Sequence, residues 1–306
     1  MINKDDLNTL LLKTSRTFAL TIPMLPEPTR TEVGVAYLLF RIIDTFEDAT
    51  AWSPERRIQA LAEVGPLLDE ADPRAVAQAT SAWLVDPPLI HAGYLDLLRV
   101  TPQVVSWYHA LAPRAREQLR VHLGRSAQGM ADFVGRTRGD GVLELETLQE
   151  LRDYCFAVAG IVGQMLTELF VIGGPPSLAA AADELRGNAV QFGEGLQLVN
   201  ILKDARPDAA EGRRYLPRQV QLPEVFVLAR ADLAAAAAYT ETLRTHGADR
   251  GLVAFNAINT RLAIATLRLL RDQGLGSKLG RLQVTGLVAE VMHALEVGGS
   301  LFPESH

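Results

Sequence analysis

Residues 37–50 read YLLFRIIDTFEDAT. Large apolar side chains at 38, 39, 42, 43 and 46 recur at spacings of three and four, which is the period of a helix with one buried face and not the alternation of a strand. That helix ends on Asp44, Glu47 and Asp48, three acids within a single turn. Like charges at i,i+4 repel by roughly a few tenths of a kcal/mol on an exposed helix, and by more where water is excluded. A neutralising positive charge is therefore expected close by.

Outward from this stretch the same spacing recurs along nearly the whole chain, and no strand-length alternation of β-branched residues interrupts it, so the fold class is all-α. The spacing predicts helices over about 3–13, 30–48, 53–70, 73–84, 87–98, 113–137, 145–172, 178–205, 218–246, 250–273 and 283–297. Helix-breaking residues fall between them, in PMLPEP, VDPP, GGPPS and DQGLGS. With 306 residues, no linker-like segment and no repeat of fixed period, a single helical domain over 1–306 is expected. Hydrophobic residues make up 48% and charged residues 22%, a globular balance, and apolar runs such as LAAAAAY at 233–239 fall short of the ~20 residues a bilayer needs.

Several function classes drop out on composition. Cys155 is the sole cysteine, which excludes an internal disulfide and a cysteine-rich metal site. The six histidines show no metal-ligand spacing. A net charge of −6 with no basic tract argues against nucleic acid as a partner. The first residues carry acids and lack an apolar segment with a small-residue cleavage site, so the expected location is cytoplasmic.

A second acidic pair, Asp204 and Asp208, ends another apolar helix in GLQLVNILKDARPDAAEGRRYLP, residues 195–217. One such pair alone is usually a solvated helix end, whereas two pairs closing two apolar helices are harder to dismiss. Four residues are about one turn, so each pair can present two carboxylates on one face. Clustered hard oxygens suit Mg²⁺, which takes one or two carboxylates, keeps waters and completes its shell with substrate phosphate oxygens. Asp44, Glu47, Asp48, Asp204 and Asp208 are thus candidate metal ligands, with Asn200 on the Asp204 face by its spacing of four and Gln197 by its spacing of seven. A diphosphate also needs direct cations, and Arg16, Arg41, Lys203, Arg213 and Arg214 lie beside these motifs. Pro207 interrupts the second motif and is expected to leave Asp208 past the helix end.

Four segments, SRTFALTIPMLP (15–26), YLLFRIIDTFED (37–48), YCFAVAGIVG (154–163) and LQLVNILKDARPDAAEGRRYLP (196–217), together resemble the squalene and phytoene synthase family of head-to-head prenyl diphosphate synthases. The resemblance implies an all-α isoprenoid-synthase fold, a single helical bundle around a central cavity, with both aspartate-rich segments at its mouth binding Mg²⁺ and an allylic diphosphate. DTFED matches the D-T-x-E-D of the squalene branch, whereas phytoene synthases more often carry D-E-x-x-D. VAFNAINTRLAIATL (253–267) is similar to a squalene synthase segment F-x-x-I-P-Q-x-x-A-I-A-T-L, and SKLGRLQVTGL (277–287) to a segment near the reduced nicotinamide cofactor, which makes Lys278 and Arg281 candidate NADPH contacts.

The implied reaction condenses two farnesyl diphosphates through presqualene diphosphate to squalene. Tyr154 matches a cavity tyrosine that accepts a proton, with diphosphate as the rival base; read without the family it is a buried tyrosine with a satisfied hydroxyl. Phe18 and Phe255 are aromatic faces for a carbocation, and Tyr37, Gly160, Gly163 and Gln197 are expected along the cavity, the glycines permitting close helix approach or a local break. Ser15 caps a helix, bonds a phosphate, or both. Asn259, Thr260 and Arg261 stand where the family has P-Q-x, and a cationic Arg261 in the cavity would disturb hydride delivery or admit water. Phytoene, dehydrosqualene and hydroxysqualene synthases are therefore the rival enzymes, and a non-catalytic relative of the fold the rival from another class. No membrane helix follows residue 297, unlike the eukaryotic enzymes, which suggests a soluble form with at most peripheral membrane contact for product release.

Overall fold

The computed structural model describes residues 2–70, 72–137 and 142–303, and these are almost wholly helical. Contacts gather the chain into two compact units, Met1–Pro23 with Glu27–Leu143, and Met24–Pro26 with Glu144–His306.

The first unit holds α1 (Lys4–Thr14), α2 (Phe18–Thr21), α3 (Thr29–Glu47), α4 (Pro54–Asp69), α5 (Pro73–Val85), α6 (Ala92–Arg99), α7 (Thr101–His109) and α8 (Pro113–Gly135). Local chemistry sets several starts: Ser53 and Asp72 accept from the Arg56 and Arg74 N–H groups, each followed by a proline whose missing N–H costs nothing in a first turn. α3 runs through the middle, packed by α1, α4, α6, α7 and α8. Phe46, the last apolar residue of the opening stretch, is fully buried with Trp52 5.9 Å and Trp83 4.6 Å away between ring centroids. Burying a ring of that size contributes about 1.5–3 kcal/mol. This anchors the end of α3 and leaves Asp44 and Asp48 only partly covered.

The second unit holds α9 (Leu148–Cys155), a π turn over Phe156–Gly160, α10 (Ile161–Gly173), α11 (Pro176–Ala180), α12 (Ala182–Ala210), α13 (Leu222–Thr245), α14 (Arg250–Gln273) and α15 (Arg281–Val297). α12 is its axis, packed by α10, α13, α14 and the π turn. The α10–α12 crossing is close because glycines face carbonyls across it. A Cβ on Gly163 would collide with the Ala189 carbonyl oxygen, and one on Gly193 with that of Ala159. The continuous helical stretch Leu148–Gly173 has 26 residues and contains an 18-residue window of mean hydropathy 1.9, long and apolar enough by those measures to cross a membrane, although 56% of that window is buried inside the protein.

The helices differ from the predicted ones at identifiable places. Pro87 and Pro88 keep residues 87–91 out of α6, because proline disfavours helix at the residue before it and cannot donate within one. The gap left between 98 and 113 holds α7, whose Pro102 sits in the first turn where it is tolerated. The π turn inside the predicted 145–172 helix leaves no mark on apolar spacing.

Where α12 crosses α13, Gly195 lets the chains approach so closely that a Cβ would stand 3.2 Å from the Asp232 carbonyl carbon. The crossing buries Glu194 and Asp232, with Arg152 of α9 at 3.1 Å and 3.8 Å. Burial raises the Glu194 carboxyl from its ordinary 4.5 to about 7; Asp232 and Asp153 add to the rise and Arg152 opposes it. Asp232 is raised for the same leading reason. An acid that binds its proton more tightly when folded lends most stability below its unfolded pKa, so stability should fall as pH climbs from about 4.5 to about 7. Glu194→Gln should flatten that slope in urea-melt midpoints taken across the window. An unaltered slope would contradict the assignment.

Candidate active site

At the end of α3, Arg41 Nη1 lies 3.4 Å from Asp44 Oδ2, and both side chains are partly exposed. The Arg41 guanidinium stands over two tyrosine rings, 5.7 Å from Tyr37 and 5.2 Å from Tyr94. Burial lifts the Asp44 carboxyl from 3.8 to about 6, Arg41 opposes the rise, and the like charge of Asp48 adds to it. Asp48 closes α3, donating its N–H to the Asp44 carbonyl at 2.8 Å. Glu47 is buried, and Arg57 of α4 donates to its carbonyl oxygen, so it differs in exposure from the two aspartates. The cation expected beside DTFED is thus Arg41.

Tyr37 donates its hydroxyl to the Thr14 carbonyl at 2.9 Å and lies 5.5 Å from the Phe18 ring. Ser15 accepts from the Phe18 N–H at 2.9 Å, which braces the turn leading into α2, whose N-cap is Thr17. Arg16 is exposed on the turn between α1 and α2. The first unit therefore groups Ser15, Phe18, Tyr37, Arg41 and Asp44 through α1, α2 and α3.

In the second unit the last turns of α12 carry Asn200, Lys203, Asp204 and Asp208. Lys203 Nζ donates to Asn200 Oδ1 at 2.7 Å and pairs with Asp204 Oδ2 at 3.2 Å. Lys278, from the loop before α15, reaches Asp204 Oδ1 at 3.3 Å. Arg213 holds Asp208 at 3.1 Å and Glu211 at 2.8 Å. A short ribbon fixes that arginine pair: the Leu145 N–H donates to the Arg214 carbonyl, and the Glu144 carboxylate takes Arg214 and Arg218. Gln197 is partly buried a turn before Asn200.

Three expectations are corrected or sharpened here. α12 runs through Pro207 to Ala210, so Asp208 lies within the helix and not past its end. A long helix already formed continues at the cost of one bond, and Arg206, Pro207, Ala209 and Ala210 are exposed, so water can serve the backbone there. Arg261 is a clasp: it donates to the Leu301 carbonyl at 2.9 Å and to Glu290 of α15 at 2.5 Å. Gly160 and Gly163 serve packing on α12; a Cβ on Gly160 would stand 3.2 Å from Val190.

Tyr154 is buried and stacks on Tyr215 at 4.4 Å. Phe255 is fully buried, edge-on to Phe170 at 6.2 Å. Arg281 opens α15 and is exposed. Two tyrosines stand beside the expected residues without a sequence signal of their own: Tyr215, which follows the arginines in RRYLP and stacks on Tyr154, and Tyr94, which no motif flags and which lies over Arg41.

Among the described residues no group of three or more His, Cys, Asp or Glu side chains is arranged to enclose a metal. Partly exposed carboxylates, with Asp44, Asp204 and Asp208 each beside a cation, fit instead an ion that keeps its waters and takes one or two carboxylates, as Mg²⁺ does. Lys278 and Arg281, exposed cations three positions apart, suit the phosphates of a dinucleotide.

These features define an all-α protein of isoprenoid-synthase fold. The chain belongs to the Squalene/phytoene synthase family, whose sequence model matches residues 11–224. It is 30% identical over 213 residues to a squalene synthase of Eremothecium gossypii, covering 69% of this chain and 45% of that one. It is 31% identical over 216 residues to the Botryococcus squalene synthase of Botryococcus braunii, covering 69% and 42%. The chain spans under half the length of these curated relatives. Among solved structures, a ligand complex of TcSQS superposes with a TM-score of 0.72 at 25% identity, covering 95% of this chain and 85% of that one. A dehydrosqualene synthase shares the fold at 18% identity, with a TM-score of 0.60 over 96% of each chain.

Proposed function

We propose that this chain is a prenyltransferase of the squalene branch, acting as one catalytic domain that joins two farnesyl diphosphates head to head through presqualene diphosphate to squalene. The observation that carries this reading is the repeated pattern at the ends of α3 and α12, where Asp44 and Asp204 each lie against a cation on the same helix. In the first half-reaction the C–O bond of one farnesyl diphosphate breaks and diphosphate leaves with the electron pair. The alkene of the second attacks the allylic cation, and loss of a proton closes the cyclopropane. In the second half-reaction the remaining diphosphate leaves, the skeleton rearranges, and a hydride ends the cation.

Asp44, Asp48 and Asp204, with Glu47, Asn200 and Asp208 in support, would hold Mg²⁺, which when bound supplies positive charge to the leaving diphosphate. Arg41, Arg213, Lys203, Arg16 and Ser15 bind the diphosphate directly. Tyr154 takes the proton, with the released diphosphate as its competitor. Phe18 and Phe255 give aromatic faces to the cation, and apolar walls keep water out. Lys278 and Arg281 would hold NADPH, which when bound supplies the hydride. We place the protein in the cytoplasm, with peripheral membrane contact for release of the apolar product.

A second reading, a synthase that ends the cation without NADPH, is favoured by one feature of α14. Asn256 Oδ1 and Thr260 Oγ1 are buried with no hydrogen-bond partner, a polar spot suited to a held water that would yield hydroxysqualene. Incubation with farnesyl diphosphate and Mg²⁺, with and without NADPH, separates the two. Squalene appearing only with NADPH is the expected result. An identical profile of phytoene, dehydrosqualene or hydroxysqualene in both arms would reject the reductive assignment.

A further inference from the structure

Arg41 needs more than Asp44 to hold it. Its Nε is buried without a hydrogen-bond partner, and the Asp44 contact of 3.4 Å is a loose ion pair and not a bidentate fork. What encloses the guanidinium is aromatic: Tyr37 from its own helix, at 5.7 Å, and Tyr94 from α6, nearer at 5.2 Å. An arginine over a tyrosine face within about 6 Å gains electrostatically from the ring quadrupole, more so where water is thinned.

α6 is fixed so as to deliver that ring. Gly93, next to Tyr94, lies so close to α1 that a Cβ there would collide with the Lys13 carbonyl oxygen. Lys13 in turn pairs with Asp96 at 2.8 Å, one turn further along α6. The His91 side chain accepts from the Tyr94 N–H, and the two rings lie 4.1 Å apart. Neighbours on both sides along the chain thus tie Tyr94 to α1 or to the start of its own helix. Its phenol is half-buried beside the acidic cluster: burial raises its pKa, Arg41 opposes, and the charges of Tyr37, Asp44 and Asp48 add.

We propose that Tyr94 is a positioning residue that holds Arg41, through the face of its ring, in the orientation that binds the substrate diphosphate; this rests on the function proposed above. The hydroxyl is incidental to the hold and the ring is essential. The probe is inorganic diphosphate with Mg²⁺, titrated calorimetrically into the whole chain and its Tyr94→Leu, Tyr94→Phe and Arg41→Ala variants, alongside KM and kcat for farnesyl diphosphate. Tyr94→Leu should weaken diphosphate binding and raise KM by about 5–30-fold, the range of a partly desolvated cation–π contact, with a smaller change in kcat. Tyr94→Phe should bind within about threefold of the parent chain, because its ring face is retained. In the Arg41→Ala background, Tyr94→Leu should cost nothing further, whereas a general loosening of the unit would still weaken binding.

Unchanged binding in Tyr94→Leu with weakened binding in Arg41→Ala would overturn the inference and leave the function standing. So would a Tyr94→Phe variant as weak as Tyr94→Leu, or an undiminished Tyr94→Leu effect in the Arg41→Ala background. Unchanged binding in Arg41→Ala would overturn the diphosphate role of Arg41, and the inference with it.

Discussion

Asn in place of Asp44 or Asp204 should slow turnover of farnesyl diphosphate by about 10²–10³-fold at saturating Mg²⁺, the size of effect seen when a group that stabilises developing negative charge is removed. An amide has the shape of the carboxylate without its charge, and it is a poorer ligand for a hard cation. The fold should survive both changes. Asp44 is held by a loose contact to Arg41 in a setting that disfavours its ionised form, so little native stability depends on that charge. Asp204 is one-third exposed and shared between Lys203 and Lys278, the kind of surface pair worth at most about 1 kcal/mol. Steady-state rates with a circular-dichroism melt of each variant check this. Near-normal turnover in both would remove the carboxylates from the chemistry.

The largest loss of stability is expected far from any charge. Gly163→Ala or Gly193→Ala should each cost roughly 3 kcal/mol or more, above the common range for overpacking, because the obstacle is backbone and cannot rotate away. Each added methyl would meet a carbonyl oxygen of the facing segment, Ala189 in one case and Ala159 in the other. By contrast Gly187, also on α12, has open space where a Cβ would go, so Gly187→Ala should be neutral or slightly stabilising. Urea unfolding of the three variants side by side tests the contact. Equal midpoints would contradict the close crossing.

That contrast shows what the sequence can and cannot disclose. YLLFRIIDTFEDAT carries its own helix period and its own excess of negative charge, so both α3 and the need for Arg41 were readable locally. Arg213 and Asp208 lie five residues apart, and their pairing followed from proximity along the chain. Tyr94 is not readable, because it lies 53 positions from Arg41 and only the packing of α6 on α1 and α3 brings the ring over. The clasp made by Arg261 is hidden for a related reason: its partners, Glu290 and Leu301, lie on a later helix and the tail that follows it. Propensity alone ends α12 at Pro207, whereas a 29-residue helix near its exposed end overrides it. The π turn beside Tyr154 has no signature in apolar spacing, since five residues of Phe, Ala, Val and Gly suit an ordinary helix as well.

The most direct test of the head-to-head condensation is incubation of the chain with farnesyl diphosphate and Mg²⁺ in the absence of NADPH, with the organic products identified by mass spectrometry and NMR. Presqualene diphosphate, recognised by its cyclopropyl protons, or a C30 compound descended from it, is the result expected. Farnesol or unreacted farnesyl diphosphate alone, from protein shown to be folded, would contradict it.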